Sequence, residues 1–211
     1  MAVSETQRVE QIYAAAAHLF SRYGYHGTTI RQMARELDLQ GGSLYAHISA
    51  KEDVLWGIVD HAASQFLDAL APIAVSDLPP AEKLRAALQA HIRVVTDNLD
   101  AATVYFQDWK FLGHERRDAI RVKRDTYEGY FRQIVAEGVA SGAFRPVDEK
   151  FATLLVLSVG NWLYQWYRPA GPLPPDAVAA EFVSMILAGV SADPNAVVYG
   201  RARPALNGHR H

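Results

Sequence analysis

The chain has 211 residues, of which half are hydrophobic, and its 21 basic and 23 acidic side chains give a formal net charge of −2. This composition suffices for the core of one large or two small domains and excludes a mostly disordered chain. The near-neutral charge argues against nonspecific coating of nucleic acid, although it permits a small protein with a few well-placed DNA contacts. Because cysteine is absent, disulfide bonds, cysteine metal sites and thiolate nucleophiles are excluded.

The N-terminal residues lack the basic start and apolar core of a signal peptide. The most apolar run, residues 152–163, is shorter than the roughly 20 residues that a bilayer requires. We therefore expect a cytoplasmic protein with no membrane partner, and no feature of the sequence indicates a cofactor.

The first predicted helix covers Glu5 to Tyr23, with Gly24 suitably placed as its left-handed cap. Thr29 and Gln32 then have the T-x-x-Q spacing of a capping box, which opens a helix of two to three turns at Ile30. The segment 38–42 ends that helix, because its two adjacent glycines are unfavourable in a helix interior and permit a tight change of direction.

A second short helix is predicted from Ser43 to Ile48, and a further capping box, Ser49 with Glu52, opens the helix that runs from Ala50 to Leu70. Residues 1–49 thus form a compact three-helix unit with helix-turn-helix geometry, whose second short helix would lie in the major groove of DNA. The same outline also occurs as an ordinary corner of all-helical proteins, in which Leu44 and Ile48 are simply core.

The side chains around the turn suit contact with DNA. Gly42 allows close backbone approach, hydroxyl and imidazole groups can donate to phosphate oxygens, and the amide of Gln40 can pair bidentately with adenine. Arg31 can contact a phosphate or a base, and Lys51 adds a positive charge at the next helix start. The candidate DNA-binding residues are Thr29, Arg31, Gln40, Gly41, Gly42, Ser43, Tyr45, His47 and Lys51.

After proline-bearing breaks near residues 72 and 79, the pattern is helical again, and no strand-like alternation appears. We predict helices near 81–98, 101–112, 115–141, 147–167 and 175–190, and a flexible tail over 191–211. The fold class is therefore all-α: an N-terminal helix-turn-helix domain followed by a larger helical domain over residues 50–190. The last two helices are apolar around most of their circumference, which favours a twofold homodimer over burial in a single core.

Aromatic residues concentrate on three of these helices and can line a pocket for an apolar ligand, although such rings more often form core. Next to them, Arg117, Arg121 and Arg124 form a basic row that can bind phosphates, or is a solvated helix face. Asn161 can orient a ligand or bridge two helices. The candidate ligand-binding residues are Phe106, Trp109, Arg121, Arg124, Tyr127, Phe131, Asn161 and Trp162.

The order T-T-I-x-x-M-A-x-x-L, a Gly-Gly turn, G-S-L-Y-x-H and a K-E helix start resembles the TetR family of bacterial transcription regulators. The R-R-x-x-I, E-G-x-x-x-G-x-F-R-P and N-W-L-Y-x-W-Y-R-P-x-G-P-L segments are similar to the branch that controls fatty-acid, sterol-ring and aromatic-acid degradation in response to acyl-CoA thioesters. Gln40, Gly41 and Ile48 depart from the usual family pattern. The resemblance implies a homodimeric repressor, bound to a palindromic operator on double-stranded DNA and released by an acyl-CoA or a related apolar acid.

Two other classes remain as alternatives. An enzyme acting on acyl thioesters would need groups such as His114, Glu115 or Asp108, yet neighbouring helix residues point apart and no H-x-x-x-H or paired-carboxylate spacing occurs. A helical interaction module would use the helix-turn-helix to bind protein. We therefore expect neither catalysis nor a bound metal.

Overall fold

The computed structural model of the chain describes residues 5–39, 44–45 and 48–192. Its α-helices are α1 (Glu5–Gly27), α2 (Ile30–Glu36), α3 (Lys51–Ala74), α4 (Pro80–Asp97), α5 (Leu99–Gln107), α6 (His114–Ala140), α7 (Glu149–Asn161), α8 (Leu163–Trp166) and α9 (Pro175–Val190). A short 3₁₀-helix, Trp109–Phe111, connects α5 to α6. The all-α prediction is confirmed, because no β-strand occurs in these ranges and the one β-bridge, between Phe144 and Ser191, is isolated.

The predicted capping box at the start of α2 is confirmed. The Thr29 hydroxyl accepts a hydrogen bond from the Gln32 backbone N–H at 3.2 Å, and the Gln32 side chain accepts one from the Thr29 N–H at 2.7 Å. The apolar face that follows buries Met33 and Ala34. A helix as short as α2 is stabilised mainly by this burial.

The first helix is interrupted where the sequence predicts its end, at the positive-φ residue Gly24. Its backbone (φ 74°, ψ 160°) kinks α1, and the chain remains helical to Gly27. Among the amino acids, glycine adopts this conformation without steric strain. The kink turns the last residues of α1 towards α2.

The predicted capping box of Ser49 and Glu52 is wrong. The N-cap of α3 is Ala50, which has no side chain capable of capping. Glu52 instead accepts a hydrogen bond from the backbone N–H of Gly113, the residue that precedes α6. A tertiary partner has therefore replaced the local one.

Two long predicted helices are each divided. The predicted helix 101–112 is split into α5 and the 3₁₀-helix at Asp108, whose buried carboxylate accepts a hydrogen bond from the Tyr25 backbone. The predicted helix 147–167 is interrupted at Trp162, which caps α7 before the single turn of α8.

One continuous core joins the two predicted domains. Phe20 and Leu44 of the N-terminal part belong to the same buried cluster as Phe66, Ile92 and Phe131 of the C-terminal part. Helix α3 contributes buried side chains to both parts of the cluster.

The segment predicted as a flexible tail begins with two residues that pair with the α6–α7 connection. The Ala192 N–H donates to the Ala143 carbonyl, next to the Phe144–Ser191 bridge. Residues 193–211 lie outside the described part of the chain. Within that part, no helix is both long and apolar enough to cross a membrane.

Candidate functional site

In the described part of the N-terminal unit, buried apolar side chains alternate with exposed polar ones. Leu44 and Ile48 are buried, and the Ile48 N–H donates to the Leu44 carbonyl. Tyr45, between them, is 59% exposed, and Arg31 of α2 is also exposed. The predicted contacts Gln40, Gly41, Gly42, Ser43 and His47 lie outside the described residues.

Two of the predicted DNA contacts have structural roles. Thr29 caps α2, as described above. Lys51 donates to the carbonyls of Tyr25 and Thr28 at 2.7 and 2.8 Å, and its ammonium group lies 4.2 Å from the centre of the Tyr25 ring. Burial lowers the pKa of Lys51. Lys51 thus holds the α1–α2 turn, and a further contact of these two residues with DNA stays a prediction.

The N-terminal unit is held against the C-terminal helices by an aromatic contact. The ring of Phe111 stacks on Tyr25 at 5.9 Å and meets the edge of His26 at 4.4 Å. Nearby, burial raises the pKa of Asp108, the residue that binds the Tyr25 backbone. We call Tyr25, His26, Asp108 and Phe111 the junction.

Ion pairs fasten α3 to α6 beside the junction. The Arg116 guanidinium donates to Asp53 at 2.6 Å, and Lys123, two turns along α6, donates to Asp60. The hydrogen bond with Asp53 raises the pKa of Arg116. Both pairs are half-buried, and they fix the register of α3 against α6.

A cavity of about 210 Å³ lies among α3, α4, α5, α6 and α7. Its inner wall is formed by buried aromatic side chains, and its outer rim carries charged, hydroxyl and amide groups. The lining residues are Phe66, His91, Tyr105, Phe106, Arg124, Asp125, Tyr127, Glu128, Leu154, Leu157, Ser158 and Asn161. An apolar interior with a few convergent polar groups is typical of a small-molecule site.

Arg124 supplies the positive charge of the cavity lining. Its guanidinium lies 5.3 Å from the centre of the Tyr105 ring and 4.9 Å from that of Trp109. Its Nη1 is buried without a hydrogen-bond partner in the described part of the chain. Because Arg124 is part of the cavity lining, an acceptor or anion that enters the cavity would be attracted to its positive charge.

His91 and Tyr127 form a buried pair at the inner wall, with His91 Nδ1 2.8 Å from the Tyr127 hydroxyl. Burial lowers the pKa of His91 to about 4, a change that the neighbouring Gly160 backbone partly offsets. His91 Nε2 makes no well-formed hydrogen bond with any described residue. The imidazole is therefore neutral near pH 7 and presents a polar atom inside an apolar wall.

The lowered pKa of His91 predicts an acid-labile protein. Between the ordinary pKa of 6.5 and about 4, the unfolded chain binds the proton more tightly than the folded one. The stability contribution is therefore complete above pH 6.5 and is lost as the pH falls, by about 3 kcal/mol in all. Denaturant unfolding should show a shallower loss of stability from pH 7 to pH 4 for His91→Gln than for the unchanged protein.

The exposed His61 supplies the control for this measurement. His61→Gln should leave the pH dependence as it is in the unchanged protein. Equal pH profiles for His91→Gln and the unchanged protein would contradict a buried neutral imidazole.

Four of the eight predicted ligand residues line the cavity: Phe106, Arg124, Tyr127 and Asn161. Trp109 lies behind Arg124, Phe131 is fully buried against Tyr127, and Trp162 is exposed. Arg121 is also largely exposed and is paired with Asp118 at 2.6 Å. The structure therefore does not bring these last four into the cavity lining.

Sequence reasoning missed His91, Phe66 and Leu157, which do line the cavity. For His91 a signal existed, because it lies at helical spacing on the same stripe as Leu84, Leu88 and Val95, all of which are buried. A polar residue in an apolar stripe needs a partner, and here the partner is Tyr127. For Phe66 and Leu157, nothing in the sequence distinguished a residue of the cavity wall from an ordinary core residue.

Two of the residues considered for catalysis have separate partners. His114 pairs with Asp118 at 3.0 Å, whereas Asp108 binds the Tyr25 backbone at the junction. Among the described residues, no group of three or more acidic or histidine side chains is arranged to hold a metal ion.

Family models match most of the chain. Residues 12–56 match "Bacterial regulatory proteins, tetR family", and residues 77–190 match "Tetracyclin repressor-like, C-terminal domain". Among curated relatives, the HTH-type transcriptional repressor KstR2 of Mycolicibacterium smegmatis is 26% identical over 190 residues, which cover 87% of this chain and 91% of that protein.

Solved structures have the same fold. The TetR family transcriptional regulator PfmR from Thermus thermophilus has a TM-score of 0.78 and 34% identity, and the match covers 83% of this chain and 96% of PfmR. AibR in complex with isovaleryl coenzyme A and operator DNA has a TM-score of 0.77 and 26% identity, with 84% of this chain and 97% of AibR covered. These relatives are transcription regulators.

Proposed function

Because the chain belongs to the TetR family of bacterial regulatory proteins, we propose that it is a cytoplasmic homodimeric repressor that an acyl-CoA or related apolar acid releases from a palindromic operator. Residues 1–49 bind DNA, and residues 50–190 bind the effector and the second protomer. The observation that carries the effector part is the cavity, whose lining combines the positive charge of Arg124 with buried aromatic side chains.

The basic row on α6 supports an effector that is apolar at one end and phosphorylated at the other. Arg124 faces the cavity, and Arg121 and Arg117 follow towards the start of α6. At 1.5 Å per residue, the row extends about 10 Å from the cavity. An acyl group in the cavity would thus place the attached phosphates beside guanidinium groups, which bind them bidentately. AibR was solved with isovaleryl coenzyme A, which is a ligand of this type.

An apolar patch on α7 and α9 supports the dimer. It consists of Phe151, Leu155, Val159, Phe182 and Met185, which line one groove of about 690 Å³. Phe151, Leu155 and Met185 are 71%, 53% and 60% exposed. Contiguous apolar surface of this kind is characteristic of protein interfaces. A twofold contact through the patch would present two DNA-binding units to half-sites about 34–36 Å apart.

The junction and α3 provide a route from the cavity to DNA. Arg124 of the cavity contacts Trp109, and Phe111, two residues further on, contacts Tyr25 and His26 of α1. An effector that draws Arg124 away from Trp109 would shift the 3₁₀-helix and hence α1. A differential affinity of about 1–3 kcal/mol between two spacings of the DNA-binding units would change operator affinity 5- to 150-fold.

Phe111→Ala is expected to weaken this coupling without removing either site. Effector and operator should each bind the variant with nearly unchanged affinity, whereas the effector should reduce operator affinity by less than about threefold, because the ring that contacts α1 is missing. Fluorescence anisotropy of labelled operator, titrated with and without effector, measures both quantities. Val122→Ala is a matched control on an exposed, uninvolved apolar side chain; an undiminished effector response in Phe111→Ala would contradict the route.

The proposed function is tested with the DNA upstream of the protein's own operon. Gel shifts should show a specific complex of one dimer, whose affinity falls steeply with salt, and acyl-CoA thioesters should dissociate it. No specific shift at any salt concentration would refute the DNA-binding claim. A specific shift that no acyl-CoA affects would refute the effector claim alone.

A further inference from the structure

The cavity is small for a ligand site. Its volume of about 210 Å³ lies below the roughly 300–1,000 Å³ of sites that hold drug-sized ligands. At about 30 Å³ for each water-sized group, it holds about seven such groups. This volume suits a short branched chain or a single ring.

The inner end of the cavity is closed by well-packed rings. Phe66 contacts His91, Tyr105 and Tyr127, with ring centres 5.1 to 5.5 Å apart. All four of these side chains are buried. Because their rings pack face and edge against each other, a longer ligand could not extend inward without displacing core side chains.

The helix behind His91 adds to this closure. Gly160 of α7 approaches the imidazole so closely that a Cβ there would lie 2.4 Å from His91 Cδ2. The ring is also held from the other side by the Tyr127 hydroxyl. His91 is therefore fixed between α6 and α7 and cannot rotate aside to lengthen the cavity.

Apart from His91, the polar lining groups are more exposed than the four buried rings. Asp125 and Ser158 are exposed, and Arg124 and Asn161 are half-buried. A ligand with one apolar and one polar end therefore enters with the apolar end towards Phe66 and leaves the polar end at Arg124.

We infer that the effector carries a compact acyl group of about five to eight heavy atoms, a short branched chain or a single ring, and that long chains and fused sterol rings are excluded. The inference rests on the proposed function, since it specifies the acyl part of the same effector. The inferred preference for a compact acyl group distinguishes this chain from relatives such as the ketosteroid regulator KstR2, whose structure shares its fold.

Calorimetric titration of the full-length protein with isovaleryl-, benzoyl-, octanoyl- and palmitoyl-CoA, and with free coenzyme A, tests the inference. Isovaleryl- or benzoyl-CoA should bind at least about 30-fold more tightly than palmitoyl-CoA and free coenzyme A. Equal or tighter binding of octanoyl- or palmitoyl-CoA would overturn the inference and leave the proposed function intact. Binding of no thioester, by a protein that still binds its operator, would overturn the proposed effector and this inference with it.

Leu157 is a half-buried residue of the cavity lining. A smaller and a larger side chain at this position test whether the cavity determines which acyl groups bind. Leu157→Ala should enlarge the cavity and raise the affinity for octanoyl-CoA at least fivefold relative to isovaleryl-CoA. Leu157→Phe should reduce the cavity and weaken benzoyl-CoA binding at least tenfold. Circular dichroism checks that both variants are folded. An unchanged order of affinities in two folded variants would overturn the inference.

Discussion

Leu155→Glu is expected to convert the protein into a monomer whose operator affinity is lower by about 100-fold or more. Leu155 is half exposed at the centre of the apolar patch, between Phe151 and Val159 along α7. In a twofold contact each protomer would then bury an unpaired carboxylate against apolar side chains, at a cost of several kcal/mol. Loss of the second DNA-binding unit removes the effective concentration that gives bivalent binding its 10²- to 10⁴-fold advantage.

Analytical sedimentation measures the oligomeric state of the variant, and fluorescence anisotropy of labelled operator measures its operator affinity. The control is Leu78→Glu, which places the same charge on a leucine of similar exposure in the α3–α4 connection. Leu78→Glu should remain dimeric and bind the operator normally. A dimeric Leu155→Glu variant with normal operator affinity would exclude the patch as the interface.

Arg124→Gln is expected to weaken effector binding about 10- to 150-fold, because hydrogen bonds to a charged partner contribute roughly 1.5–3 kcal/mol. Operator affinity without effector should also fall, by a smaller factor, because the substitution removes the guanidinium from the Trp109 ring, which is the contact through which the cavity is proposed to act on α1. The melting temperature of the ligand-free variant should stay the same or rise, because the substitution removes a buried donor that has no partner among the described residues.

Calorimetric titration with the best-binding thioester measures the loss of effector affinity. Arg93→Gln is the matched control, since Arg93 is exposed and pairs with Asp176 away from the cavity lining. Full effector affinity in Arg124→Gln would show that the cavity does not receive the polar end of the ligand.

Local sequence patterns were sufficient to predict much of the fold. The Thr29 capping box was predicted from two residues three positions apart, and the structure contains both of its hydrogen bonds. The helical pattern and the absence of strand-like alternation predicted the all-α class. These features depend on neighbours within one or two helical turns, which a sequence displays directly.

The errors arose where a distant residue competed with a local one. Glu52 had the spacing to cap α3, yet it binds Gly113, 61 residues away. The helix predicted over 101–112 is split at Asp108, a buried residue that lies against the Tyr25 backbone. In each case the tertiary contact replaced the local interaction that the spacing predicts.

For the candidate site, the sequence by itself determined the helix-turn-helix unit, the basic row and the aromatic content of the C-terminal helices. Only the tertiary structure decided that Phe106, Arg124, Tyr127 and Asn161 line one cavity and that Trp162 does not. The physical reason is that helical periodicity determines which residues share a face, whereas the packing of five helices determines which faces enclose a space. His91 illustrates this, because its place in an apolar stripe was visible, but the partner that makes it part of the cavity wall comes from another helix.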